Sequence, residues 1–164
     1  MRVLPQILLA GFAGIALAAP VGGAKADDQI SPKSLTLQRQ GEQLLSAGKL
    51  EQAENVLETA LAVDPRNRWA FVDLARVAEK QHLYGKAIRM TNKALQIEPN
   101  DLDAIAVQGE AMVELGAVAR AQANLQKLRT ICTKGCPQVA MLSNAITRGP
   151  TVASAKAPES PKSN

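Results

Sequence analysis

Aromatic side chains are nearly missing from this 164-residue chain: two Phe, one Tyr and one Trp make up 2% of it. Base-stacking platforms are therefore lacking, and the charge is too small and too evenly spread to hold a phosphate backbone, so no nucleic-acid partner is expected. Imidazole is almost absent too, His82 being the sole histidine. There is no Gly-rich phosphate loop, no Gly-x-Ser-x-Gly turn and no spaced set of metal ligands. Asp27 and Asp28 lie in polar lead sequence, and Glu51 and Glu54 are three apart, as on a solvated helix face. His82 falls at a helix-ending turn, which suits a surface cap better than a catalyst. We expect no catalytic residue, no metal, no cofactor and no enzyme.

What is present begins with a leader. Arg2 precedes an apolar stretch from Ile7 to Ala19, and Ala24-Lys25-Ala26 has the small-x-small form read by signal peptidase. Residues 1–26 are expected to be a signal peptide, which makes the chain an exported protein of a bacterial periplasm. The alternative is an uncleaved anchor, the one route to a membrane, although Pro5, Pro20 and the glycines suit a spanning helix poorly. Arg2 and Lys25 are two of the 19 basic residues, so 17 remain against 15 acidic ones and the mature charge is about +2.

Residues 27–33 read as a polar lead, with Ser31-Pro32 placing a capping serine before a proline at the first helical position. From Ser34 the chain repeats itself every 34 residues, with copies at 34–67, 68–101 and 102–133. The eighth residue of each copy is Gly41, Ala75 or Gly109, and the twentieth is Ala53, Ala87 or Ala121. The twenty-seventh is Ala60, Ala94 or Leu128, and the fourth is Leu37, Phe71 or Ile105. Small residues at fixed offsets mark close approaches between helix backbones, and the bulky ones fill the spaces between. Pro65 and Pro99 close the first two copies, because proline cannot donate into a continuing helix. Each helix pair has too little apolar surface to stand alone, so the pairs must stack. A further helix over 137–147, with Val139, Met141, Leu142 and Ile146 as apolar positions, is expected to cap the stack. Residues 149–164 read as a disordered tail of Pro, Ser, Ala and Lys.

This pattern resembles the tetratricopeptide repeat, a pair of antiparallel helices per repeat. It implies an all-α, right-handed superhelical stack of three helix hairpins with a C-terminal capping helix, spanning 34–148. Three residues depart from the pattern: His82 stands where the other copies have Gly48 and Gly116, Thr91 where a bulky apolar residue is expected, and Thr133 where the closing proline belongs. In the family, positions 2, 5, 9, 12 and 13 of each first helix line a concave groove. The resemblance thereby assigns Leu35, Gln38, Glu42, Leu45 and Ser46 to it from the first copy. The second copy supplies Trp69, Val72, Arg76, Glu79 and Lys80, and the third Asp103, Ala106, Glu110, Val113 and Glu114. Trp69 and Arg76, seven apart on one face near the middle, are its expected centre, since these residue types dominate binding hot spots. Gln38 and Glu42 stand where some relatives carry a basic and asparagine clamp for a chaperone C-terminus, so that ligand is not expected. The partner is another protein or peptide.

Cys132 and Cys136 are the only cysteines. Near-helical geometry puts their α-carbons roughly 6 Å apart, within bridging range. In an oxidising compartment a structural disulfide is expected, with a redox-active pair and a metal site as the alternatives. The chain thus reads as a non-catalytic interaction module or scaffold of the envelope, in assembly of a pilus or secretion system. The other reading is a redox-responsive adaptor switched by the two cysteines.

Overall fold

A computed structural model describes residues 30–151. The expected signal peptide, Asp27 and Asp28, and the tail after Thr151 lie outside the described residues. Within them the chain forms seven helices and no strand: α1 (Pro32–Ser46), α2 (Leu50–Val63), α3 (Arg68–Lys80), α4 (Tyr84–Ile97), α5 (Leu102–Glu114), α6 (Val118–Ile131) and α7 (Pro137–Arg148). Successive helices pack on one another, and each first helix also touches the next one, α1 on α3, α3 on α5 and α5 on α7. Two rows result, with α1, α3, α5 and α7 in one and α2, α4 and α6 in the other.

The small residues sit where helices approach most closely, between the rows or, at Gly109, between α5 and α7 within one row. Ala53, Ala87 and Ala121 are all fully buried, as are Ala60, Ala94 and Leu128. A Cβ added to Gly41 would lie 2.5 Å from Leu57 Cγ, and one added to Gly109 would lie 2.6 Å from both Leu142 methyls. No side chain fits at either place without moving a packed leucine. The second copy solves the same contact differently. Ala75 stands where Gly41 does, and Thr91 stands one period after Leu57, so the added methyl in α3 is matched by a smaller side chain in α4. Thr91 is fully buried and donates its hydroxyl to the Ala87 and Ile88 carbonyls, both at 3.0 Å. An unpaired hydroxyl there would be costly.

The turns within the pairs share one conformation. Gly48 and Gly116 have φ of 72° and 73°, and His82 adopts 58° at the equivalent place. In each case the following N–H reaches back across the helix end: Lys49 to the Leu44 carbonyl at 2.9 Å, Leu83 to Ala78 and Ala117 to Met112 at 2.8 Å. This is the glycine-type helix stop, occupied once by an L-residue at some cost in strain. The His82 ring is tied at Nδ1 to the Tyr84 hydroxyl at 2.9 Å.

Between pairs, α3 and α5 are capped by side chains. Asn67 Oδ1 accepts from the Ala70 N–H at 3.2 Å, and Asp101 Oδ1 from the Ala104 N–H at 2.8 Å. Ser31 differs from its expected role, for its side chain caps nothing. Its backbone N–H donates instead to Asp64 Oδ2 at 2.9 Å, tying the start of α1 to the end of α2. Arg66, foremost, and this N–H hold the Asp64 carboxyl well below the usual carboxylate range. Glu54 also departs from the solvated reading: it accepts from Gln81 at 2.9 Å and pairs with Lys86, linking α2 to the second repeat. The last connection has five residues, Cys132–Cys136, where the earlier ones have four, Asp64–Asn67 and Glu98–Asp101. Cys132 and Cys136 are joined by a disulfide, with α-carbons 5.8 Å apart, so the bond spans the connection that lacks a proline and carries the extra residue.

Gly41→Ala should destabilise the chain by about 1–3 kcal/mol from overpacking, partly offset by up to about 1 kcal/mol of helix propensity. In a Leu57→Thr background, which copies the second repeat's pairing, the same change should cost at least about 0.5 kcal/mol less. Urea unfolding of the four chains measures the coupling, and additive costs would contradict the contact.

Candidate binding groove

The inner row of helices leaves a concave face with two adjoining hollows that share Arg76. The first, of about 480 Å³, is lined by Leu35, Gln38, Arg39 and Glu42 from α1, by Trp69, Val72, Asp73 and Arg76 from α3, and by Asp103 from α5. The second, of about 640 Å³, takes Leu45, Ser46, Glu79, Lys80, Glu110 and Glu114 along its walls. His82, Tyr84 and Val107 contribute as well, and α7 and the segment after it close the far end with Met141, Arg148 and Thr151. The sequence-assigned residues therefore come together, with two exceptions. Ala106 and Val113 are buried at 1% and 0% exposure and belong to the core cluster that holds Leu128 and Leu142. Val72 is also buried and forms floor rather than wall.

A line of polar contacts crosses the floor. Gln38 Nε2 on α1 donates to Asp73 Oδ2 on α3 at 2.5 Å. Arg76 reaches Asp73 Oδ1 through Nη1 at 3.1 Å and Asp103 Oδ1 on α5 through Nη2 at 3.0 Å. Gln138 Nε2 on α7 donates to the same Asp103 oxygen at 3.1 Å. Each first helix is thus stitched to the next. Arg76, an expected hot spot of the groove, is also a brace between α3 and α5. Asp73 and Gln138 were outside the sequence reading: the contacts join residues 35 apart, one more than the repeat. Burial pushes the Asp73 carboxyl up, and Gln38 and Arg76 pull against it.

Trp69 is half-buried, with one ring face covered by the Arg68 guanidinium 4.2 Å from the ring centroid, a cation–π contact. Arg68 also pairs with Asp101 at the head of α5. The second hollow sets Arg76, Lys80 and Arg148 against three carboxyl groups. Glu79, Glu110 and Glu114 face it from α3 and α5, and the described residues place no ion pair on Glu79 or Glu110. The Glu79 carboxyl is pushed up to about 8, first by burial and then by Glu110, with Arg76 opposing. Glu110 is raised as well, chiefly by burial, against the pull of Arg148 and Arg76. Among the described residues no group of three His, Cys, Asp or Glu is placed to hold a metal ion. None of their helices is long and apolar enough to cross a membrane.

Residues 44–92, from the end of α1 into α4, match the tetratricopeptide repeat family. No curated protein matches the chain. Among solved structures it is similar to the Sgt2 TPR domain of Aspergillus fumigatus, at 18% identity and TM-score 0.66, over 72% of this chain and 79% of that one. The TPR2B domain of yeast Sti1, solved as a pHsp70 complex, is similar at 18% identity and TM-score 0.66, over 72% and 98%. The second TPR domain of human RPAP3, solved with an HSP70 peptide, matches at 20% identity and TM-score 0.62, over 69% and 94%. The described residues of this chain thus carry a tetratricopeptide-repeat match over 44–92 and share the all-α helical stack of these domains.

Glu79 gives the groove a pH signature. Its folded value of about 8 lies above the ordinary 4.5, so its contribution to stability is full below about pH 4.5 and is lost as pH rises through about 8. Urea midpoints should fall between pH 5 and 8 in the wild type, and Glu79→Gln should flatten that fall and be the more stable chain at pH 8. Parallel pH profiles for the two proteins would contradict the burial of this carboxyl.

Proposed function

We propose that this protein is a non-catalytic protein-interaction module that holds a peptide segment or a partner domain in its concave face. The observation that carries the reading is the groove itself, two hollows running along α1, α3 and α5 with Trp69, Leu35 and Val72 in the lining of the first. Two domains of the same fold were solved with peptide or protein ligands, which supports the use of such a face for binding. The ligand here differs in kind from a chaperone C-terminus, because Gln38 spends its amide on Asp73 and Glu42 brings a negative charge to the first hollow.

The setting we propose is the bacterial envelope, in assembly of a larger machine such as a pilus or secretion system. The leader-like residues 1–26 and the bonded Cys132–Cys136 pair support an exported chain. A redox-responsive adaptor is the second reading, favoured by the place of the disulfide. It spans the connection into α7, the helix that carries Met141 and Arg148 into the groove wall.

Capture from native envelope extract by the mature chain, with the retained proteins identified, supplies the partner. Trp69→Ala should then weaken its binding by more than about 1 kcal/mol with helical content unchanged, and equal capture would refute the groove centre. The same binding measured with and without reductant separates the two readings: a static scaffold keeps its affinity, and a switch loses or gains it.

A further inference from the structure

The charge that is spread evenly along the sequence is sorted by the two rows of helices. The inner row, α1, α3, α5 and α7, holds six basic and six acidic residues. The outer row does not balance: α2 carries Glu51, Glu54 and Glu58 with no cation, whereas α4 and α6 carry three basic residues each and no acid. The net charge of the helices thus lies on the side away from the groove, at its α4–α6 end.

Its placement follows the repeat. Lys86, Arg89 and Lys93 are spaced i, i+3, i+7, which sets them on one side of α4, turned away from the buried Ala87, Thr91 and Ala94. One period later the same side of α6 presents Arg120, Ala123 and Lys127, turned away from the buried Ala121, Leu125 and Leu128. In α2 that side is Gln52, Asn55 and Thr59 and bears no charge. Nearby carboxylates pair with only one of the five cations. Lys86 takes Glu54, but Ile88 stands one period after Glu54, so Arg120 meets no carboxylate where Lys86 meets one. Arg89, Lys93, Arg120 and Lys127 are exposed and in no ion pair among the described residues. Arg89 and Lys127 donate to the Gly85 and Pro99 carbonyls, which leaves their charge in place. The three acids of α5 line the hollows of the concave face and Asp101 is paired with Arg68. Between Tyr84 and Cys136 the one acid left is the exposed Glu98, at the end of α4.

The chemistry of this face selects its occupant. Protein interfaces are centred on aromatic and apolar side chains and are poor in lysine, and no aromatic residue lies between Gly85 and Gly135. Exposed cations repeated from helix to helix suit mobile anions that can gather beneath each one, as the lipids of a charged bilayer do. We propose that the α4–α6 side of the outer row docks on the headgroup surface of an anionic membrane, with the concave groove facing away from it. The contact is one of surface charge, and it depends neither on an N-terminal anchor nor on the groove's own partner.

Cosedimentation of the mature chain, residues 27–164, with lipid vesicles tests this. The chain should bind vesicles of phosphatidylcholine mixed with phosphatidylglycerol and leave those of phosphatidylcholine alone. Raising the salt from about 0.1 M to about 1 M, which cuts the screening length from about 10 Å to about 3 Å, should release it. A Lys or Arg at such a surface adds about fivefold to binding, so Arg120→Gln/Lys127→Gln should weaken it by at least about tenfold, and Arg89→Gln/Lys93→Gln likewise. Lys33→Gln/Lys49→Gln removes the same charge from exposed positions at the other end of the stack and should change binding by less than about threefold. Urea midpoints close to that of the wild type show that each variant is folded. Trp69, the sole tryptophan, lines the groove, so brominated lipids should leave its fluorescence unquenched. Equal losses for the two ends, or binding indifferent to lipid charge, would overturn the assigned face. Quenching of Trp69 would overturn the orientation. A DNA duplex bound as tightly as the anionic vesicles would make the face a general polyanion site and overturn the lipid assignment. Each of these failures leaves the Trp69→Ala capture result untouched.

Discussion

Three helix hairpins of modest apolar content hold together because their backbones can approach closely at a few recurring places. Dispersion and burial both depend on contact distance, and an interior packed to crystal-like density loses stability when even one methyl group is out of place. Gly41 against Leu57 and Gly109 against Leu142 are such places, with the buried alanines at 53, 87 and 121 marking the crossings between rows. Ala75 and Thr91, one period after Gly41 and Leu57, fit a constraint on combined volume rather than on residue identity. Leu142 extends the same interlock from the last repeat to α7, which is why a helix outside the repeat can finish the stack.

From that interlock the groove follows. Helices held at regular spacing in an inner row present one face each to a common concavity, and their polar side chains then meet at predictable intervals. The Gln38, Asp73, Arg76, Asp103 and Gln138 line uses this spacing to join four helices across the floor. Burying Asp73 is unfavourable by itself, and its hydrogen bonds to Gln38 and Arg76 offset that cost. The braces also keep Trp69 and the carboxyl-bearing wall at fixed separation, so a ligand meets a surface that is already arranged. In the second hollow Glu79 and Glu110 are in no ion pair among the described residues, and burial raises the proton affinity of both against the pull of Arg76.

The architecture was legible because its cause is periodic: small residues, bulky residues and the turn glycines recur in phase, and phase survives in a single sequence. His82 was legible only as a departure; the folded turn shows that the backbone geometry is imposed by the flanking helices and the histidine adopts it. Groove membership was also largely readable, since it is set by the position of a side chain on its helix. The role of each member was not. Arg76 was read as a hot spot; its pairing with Asp73 follows from i,i+3 spacing on α3, whereas Asp103, 27 positions away, is brought to it only by the stacking of α5 on α3. Ala106 and Val113 share the groove register, yet both are small or apolar and pack into the core cluster with Leu128 and Leu142. Asn67 and Asp101 could have been named as caps, since each immediately precedes a first helix with the side chain that such a site prefers.

If close approach at small positions is what holds the stack, substitutions that differ only in facing toward or away from a crossing must differ in effect. Ala121 and Ala123 lie two residues apart on α6, one fully buried and one exposed. Calorimetric unfolding of Ala121→Leu and Ala123→Leu compares them directly. The account predicts a loss of about 1–3 kcal/mol for Ala121→Leu and a change within about 0.5 kcal/mol for Ala123→Leu. Equal stabilities for the two variants would contradict it.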